Sequence, residues 1–555
     1  MGESRRRKLA ALSASVDEIA EPLALDTLGG RLHVKFDDAA SATVFGQLPF
    51  FAEFLRHTGL YERWVNAAPL VYTSPNAPRV ENVLGTLLLA VLSGCRRYSH
   101  VNGLRADGVS PGVLGMTKLV SEDSLSRALG AMDEHRADAW IVSQLDHVCA
   151  PLLSTPWILD IDTTVKPLYG KQEGATLGYN PHKPGRPSHA YHSYLMSEQR
   201  LVLDVSVSPG HQMSSKHALP GLSAVLDRCA VSPNQKPRMV RGDCGFGNEA
   251  TLALVESHGI DYLFRLRQTA NVKKLIARTF FKEGWQAAGC GYEAFEAHAA
   301  NPEHADVAAL KLSGWSKSRR VVILRRRIAD KEGTVLVLDE ANEQLTFLDD
   351  AINATNPLKL YEYVVLVTSL GREGFDLRAI AQLYRDRADC ENGFDELKNQ
   401  WGWTGFTSQE LKRSSLMARN NALIYNWWSL FVRAANPGER LEAITSRPLL
   451  LTAVGRKTEH AGQSHLLITC MHVAKERAIA MLTRVHALLQ RMRATTAQLL
   501  PSQRWTAIAS VIVSQILALK PKPPTPARFL LAGKLRNLGL TGSGFPRCRR
   551  ETQWD

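Results

Sequence analysis

The chain has little that would tie it to a membrane, a secreted scaffold or a zinc knuckle. Its longest apolar segments, at 83–93 and 505–519, carry polar residues and fall short of the roughly 20 apolar residues of a membrane helix. Arg5 to Lys8 imitate the start of a signal peptide, but the following Leu-Ala-Ala is too short, and Asp17 and Glu18 interrupt it. A soluble cytoplasmic protein with no membrane partner is expected. The eight cysteines are scattered, with no two close enough for a zinc site or a redox pair, so they read as free thiols in a reducing compartment. No internal repeat is visible. Acidic residues are scarce at both ends: residues 501–555 hold nine Lys or Arg against two acids, and residues 1–15 hold four against one.

What is present is a long, basic chain of otherwise ordinary globular composition. At 555 residues it is several domains long, and its formal net charge of +13 favours a polyanionic partner. Charge alone does not separate nucleic acid from an acidic membrane surface. After a basic flexible tail at 1–20, amphipathic helical patterns run to about residue 150, broken by Pro69, Pro75 and Pro78. Within them Ser121 can cap a helix with Glu122 and Asp123 in its first turn and Arg127 on its surface. That segment is compatible with a recognition helix resting on DNA and equally with an ordinary capped surface helix.

The pattern changes at Pro156. Residues 157–165 read as a buried strand whose alternate face carries Asp160, Asp162 and Thr164, and such acids are costly to bury unpaired. A turn-rich loop follows, then a hairpin from 191–196 and 201–207, a helix, a short strand ending at Asp243, a second helix and a strand over 261–266. The order matches generic α/β as well as a ribonuclease-H-like mixed sheet. Asp162 and Asp243 favour the latter, because they end strands that are neighbours in that topology. Three further strands, at 321–327, 334–339 and 361–369, suggest a β-rich insertion. Beside them lies a cluster of Lys317, Arg319, Arg320, Arg325, Arg326 and Arg327, which suits a solvated sheet face or a DNA-facing one.

Residues 375–400 lack proline and read as one helix of about seven turns. At ~100° per residue Tyr384, Arg387, Glu391 and Lys398 fall within an arc of roughly 60°, so a hydroxyl, two cations and a carboxylate share a face. By itself such a stripe is more often a solvated face with helix-spaced ion pairs. The tryptophans Trp427 and Trp428 read as core, and residues from 439 onward read mostly as helix.

The spacing Tyr384-x2-Arg387-x3-Glu391-x6-Lys398 resembles the Tyr-Arg-Glu-Lys signature of DDE-type insertion-sequence transposases. Asp162-Thr163-Thr164, Tyr169-Gly170-Lys171-Gln172-Glu173-Gly174, Gly178-Tyr179-Asn180 and Thr445-Ser446-Arg447-Pro448-Leu449-Leu450-Leu451 resemble insertion-sequence family thirteen-eighty, within the insertion-sequence-four-like superfamily. The resemblance spans roughly residues 45–470. It implies a ribonuclease-H-like catalytic domain (151–268 and 375–435) interrupted by a β-rich insertion domain (269–374), a helical N-terminal DNA-binding region (21–150), and a helical basic C-terminal region (436–555) for DNA contacts and dimerisation. It also implies catalytic, metal-binding Asp162, Asp243 and Glu391 holding two Mg²⁺ ions, for which Mn²⁺ can substitute. Asp160 competes for the first place, and the match to Asp-Thr-Thr selects Asp162. Asp395 lies outside the spacing, and Gly393 departs from it by weakening the helix locally. Tyr384, Arg387 and Lys398 are then expected on phosphates, Arg127 on DNA, and Trp315, or Tyr361 or Tyr363, stacked on a displaced base or else in the core. The implied partners are double-stranded DNA, as terminal inverted repeats and target, and a second copy in a homodimer on paired ends; the implied location is the bacterial cytoplasm, on the nucleoid. A nuclease without strand transfer and a non-catalytic DNA-binding derivative remain as alternatives. A metal site from His182, His189 and His192 is the weaker idea, since their spacing is not distinctive.

Overall fold

A nine-stranded mixed sheet organises the computed structural model, which describes residues 22–35, 41–72, 74–180, 183–231, 233–297, 310–328, 336–339, 344–347, 357–469 and 473–519. The basic tail at 1–20 and the Pro/Gly-rich end beyond 519 lie outside the described residues. The sheet strands, numbered along the chain, are β1 (Ile158–Pro167), β2 (Ser188–Met196), β3 (Leu201–Pro209), β4 (Met239–Gly242), β5 (Asp261–Arg265), β6 (Gln286–Gly289), β7 (Tyr292–Ala297), β8 (Arg320–Arg327) and β9 (Tyr361–Thr368). Their order in space is β3-β2-β1-β4-β5-β9-β8-β7-β6. The first three form an antiparallel meander, and β1, β4 and β5 are parallel. Helices α1 (Ser215–Ala230) and α2 (Glu249–Ser257) make the crossovers that parallel pairing requires.

Two of the three strands expected as an insertion, β8 and β9, belong to this sheet. β9 pairs antiparallel with β5, and β8, β7 and β6 continue outward, so these four strands widen the sheet. β6 and β7, which the sequence pattern did not suggest, flank a Cys290–Gly291 turn with positive φ at both residues. Leu336–Asp339 and Gln344–Phe347 form a separate hairpin.

β2 is buried at every residue, although it reads Ser-His-Ala-Tyr-His-Ser-Tyr-Leu-Met. Its polar groups are accommodated by partners: His192 sits between Thr163 Oγ1 (2.9 Å) and Ser208 Oγ (3.0 Å), and His189 Nε2 lies 2.8 Å from the Glu173 carbonyl. These two histidines therefore have structural partners, and His182 lies outside the described residues.

The segment 375–400 is two helices, α3 (Leu377–Arg385) and α4 (Ala388–Gln400). A continuous helix would need Arg387 N–H to donate to the Leu383 carbonyl. That carbonyl instead accepts Arg241 Nη1 at 2.5 Å, and Arg387 N donates to Tyr384 O at 3.1 Å. The tight i→i+3 bonding continues with Asp389 N to Asp386 O and Cys390 N to Arg387 O, a 3₁₀-like joint between the two helices.

Helix α5 (Leu411–Ala435) backs the outer strand of the meander. Asn426 accepts from Val202 N (2.9 Å) and donates to Val202 O (2.8 Å), which satisfies backbone groups of edge strand β3. Trp427 and Trp428 are in the core as expected: Trp427 lies edge-on to Trp64 at 5.5 Å, and Trp64 stacks on Trp140. The helix Leu48–Thr58 packs with Lys475–Thr496 and Pro501–Leu519, so the first described helix and the last two share one helical layer. The C-terminal part is not wholly helical: Gly455–His460 and Gln463–Ile468 form a hairpin that pairs with Ala42–Thr43.

Candidate active site

Two strands supply acids in parallel register. Asp160 is directly opposite Arg241, and the last pair is Ile161 with Gly242, so Asp162 and Asp243 follow side by side as β1 and β4 pass their shared register. Gly242 is needed there, since a Cβ would come within 3.0 Å of Ile161 and Phe264. The two acids of β1 have separate roles. Asp160 is fully buried and forked by Arg241, with Nε to Oδ1 at 2.7 Å and Nη2 to Oδ2 at 2.8 Å. Asp162 keeps a fifth of its side chain exposed and accepts from Thr163 N at 2.9 Å.

Glu391 enters from the first turn of α4 with its side chain 62% exposed. Between it and Asp162 lies the Arg387 guanidinium, with Nη1 on Glu391 Oε1 at 2.9 Å and Nη2 3.5 Å from Asp162 Oδ1. The joint between α3 and α4 explains this reach, because it turns Arg387 inward, where it is buried. Burial raises the Asp162 carboxyl pKa; Arg387 opposes the rise, while Asp243 and Glu391 add to it. Burial also disfavours the Arg387 charge, but Asp162 and its neighbours more than offset that and raise the guanidinium pKa. The Asp162 carboxyl thus feels both other acids through space.

Among the described residues no group of three or more His, Cys, Asp or Glu side chains is drawn together closely enough to hold a metal ion. The donor chemistry still fits one: Asp162, Asp243 and Glu391 offer only hard carboxylate oxygens, the ligands of Mg²⁺ and Mn²⁺.

Of the other expected contacts, Tyr384 is half-buried in the last turn of α3, and burial pushes its phenol up to about 12. Lys398 is partly exposed in the last turn of α4, about two turns beyond Glu391. Asp395 points to solvent and accepts from Asn399. Arg127 is exposed on Glu122–Ala131, its Nε bonded to the Asp123 carbonyl. Trp315 is buried, with Arg319 against its ring at 5.3 Å. Among the described residues no contact joins Arg127 or Trp315 to the acids. The arginine cluster beside Trp315 is largely consumed internally: Arg319 binds Glu249 and Glu256, Arg320 binds Glu296, Arg325 binds Glu293, and Arg326 pairs with Glu362.

The sequence reading missed the Asp160–Arg241 pair. Its signal was present, as opposite charges two residues before each aspartate in Asp160-x-Asp162 and Arg241-x-Asp243. It also missed Glu396, which is buried on α4 and accepts from Arg440, Trp401 Nε1 and Ala443 N, anchoring the helix from behind.

Acids on two adjacent parallel strands and a helix, with buried Arg387 between Asp162 and Glu391, make up the candidate site. The chain belongs to the transposase family described as transposase DDE domain group 1, whose model matches residues 46–494. No curated protein matches the chain. Among solved structures it is similar to a piggyBac transposase synaptic complex with hairpin DNA, at 11% identity over 87% of each chain with a TM-score of 0.35, a likeness too distant to bear on mechanism.

Proposed function

We propose that this protein is a DNA transposase of the insertion-sequence type that cleaves the ends of its element and joins the freed 3′-hydroxyl to target DNA. The reading extends to the family-thirteen-eighty branch with its Tyr-Arg-Glu-Lys signature. The strand order β3-β2-β1-β4-β5 with an antiparallel β2 supports reading the sheet as a ribonuclease-H-like core with Asp162, Asp243 and Glu391 as its catalytic acids. Two Mg²⁺ ions, replaceable by Mn²⁺, would be held by these three residues and would supply activation of the attacking oxygen and stabilisation of the leaving one. Arg387 aligns the carboxylates of β1 and α4 from its buried position, while Tyr384 and Lys398 contact phosphates near the cleavage point, Lys398 as a point charge. The C-terminal helices are the candidate dimer contacts on paired ends.

The observation that carries the proposal is Arg387 spanning Asp162 on β1 and Glu391 on α4, more than 200 residues apart in sequence. The test supplies pre-cut element ends and a supercoiled target with Mg²⁺. Joined product is expected; cutting without joining would make the protein a nuclease, and binding without either would leave a non-catalytic derivative.

A further inference from the structure

The loop between β1 and β2 leaves the sheet on the strand that carries Asp162 and exposes Tyr169, 69% of which is open to solvent. Two exposed cations from the far side of the loop gather on it. Arg186 lies over the ring at 4.6 Å from its centroid, and Lys183 Nζ donates to the Tyr169 hydroxyl at 2.5 Å. The loop's base is stitched to the fold: Leu168 N donates to Pro187 O, Ser188 N to Thr176 O, and Glu173 N to Gln409 O at the approach to α5. Gly178 lies so close to Gly210 that a Cβ would come within 2.0 Å of the Gly210 carbonyl. The cations are therefore presented on a supported platform.

We infer that Tyr169, Lys183 and Arg186 form a phosphate-binding contact for the backbone of duplex DNA, beside the cleavage site and separate from it. The inference rests on the transposase reading above. A guanidinium laid on the ring leaves that face covered, which suits phosphate binding better than base stacking, and the Tyr169 hydroxyl holds the second cation beside the first. Glu173, the only acid between 168 and 187, is turned to the fold, its Oε2 accepting from Leu411 N. The strand sets the distance. Five residues from Asp162 to the end of β1 span about 16 Å. With Tyr169 two residues further on, the patch lies at most about 25 Å from Asp162, within the span of one bound duplex.

Phosphate contacts carry no sequence information, so the probe is a duplex of arbitrary sequence and about 40 base pairs, titrated across salt concentrations. The double variant Lys183→Ala/Arg186→Ala is expected to reduce the slope of log affinity against log salt by about 2, and Tyr169→Ala by a smaller amount. The double variant Lys273→Ala/Lys274→Ala removes the same charge from an exposed helix face and is expected to leave the slope unchanged. Circular dichroism confirms that the variants are folded. An unchanged slope in the Lys183/Arg186 variant overturns the inference, as does an equal fall in the Lys273/Lys274 control. Wild-type protein that binds DNA with the expected slope but neither cuts nor joins would count against the catalytic reading and not against this patch.

Discussion

Two aspartates that share one face of β1 have opposite energetic signs. Asp160 is buried and paired, so Asp160→Asn strands the Arg241 charge. A loss of about 3–5 kcal/mol is expected, read as a lower urea midpoint. Asp162→Asn removes a charge that the fold raises in pKa and therefore disfavours, so the midpoint is expected to hold or rise while Mg²⁺-dependent cutting disappears. The reverse pattern would exchange the two roles. The choice between these residues was legible in sequence only by resemblance, since alternation along a strand cannot separate two acids on one face. The structure distinguishes them through Arg241, a partner 81 residues away in sequence.

At the scale of the element, α4 has a correctable weakness. Gly393 is buried, and a Cβ there would meet Leu195 Cδ2 at 3.7 Å and Arg200 Cδ at 4.0 Å, ordinary packing distances. Gly393→Ala is expected to stabilise the protein by about 1 kcal/mol, seen as a raised thermal midpoint; a fall would mean that the helix cannot accept the methyl group. The α3–α4 pattern gave the correct residue types but the wrong continuity. Helical periodicity is a local signal, whereas the joint comes from a carbonyl captured by an arginine of another strand. The arginine cluster of β8 shows the same limit: basic runs look alike whether they face DNA or glutamates on neighbouring elements.

For the whole molecule, the succession of strands and helices around the acids was readable because each strand and crossover helix carries its own pattern. The lateral extension by β9, β8, β7 and β6 was not, since pairing to β5 is a long-range choice. Burial of histidines couples the assembled fold to pH. His192 and His147 are each pushed down to about 4, chiefly by burial. Their folded pKa lies below the unfolded value near 6.5, so the stability they contribute is present above pH ~6.5 and is lost as pH falls toward ~4, on the order of 3 kcal/mol for His192. His192→Gln should flatten the dependence of the thermal midpoint on pH in that window, and an unaltered slope would mean that His192 does not titrate with unfolding.

The most direct test of the central claim compares Glu391→Gln with Asp395→Asn, two exposed acids one helical turn apart on α4. Both variants are assayed for binding and for Mg²⁺-dependent cleavage of a duplex carrying the element's end. Both are expected to bind; cleavage should vanish in Glu391→Gln and persist in Asp395→Asn. Cleavage retained by Glu391→Gln, or lost only in Asp395→Asn, would contradict the assignment of the catalytic glutamate.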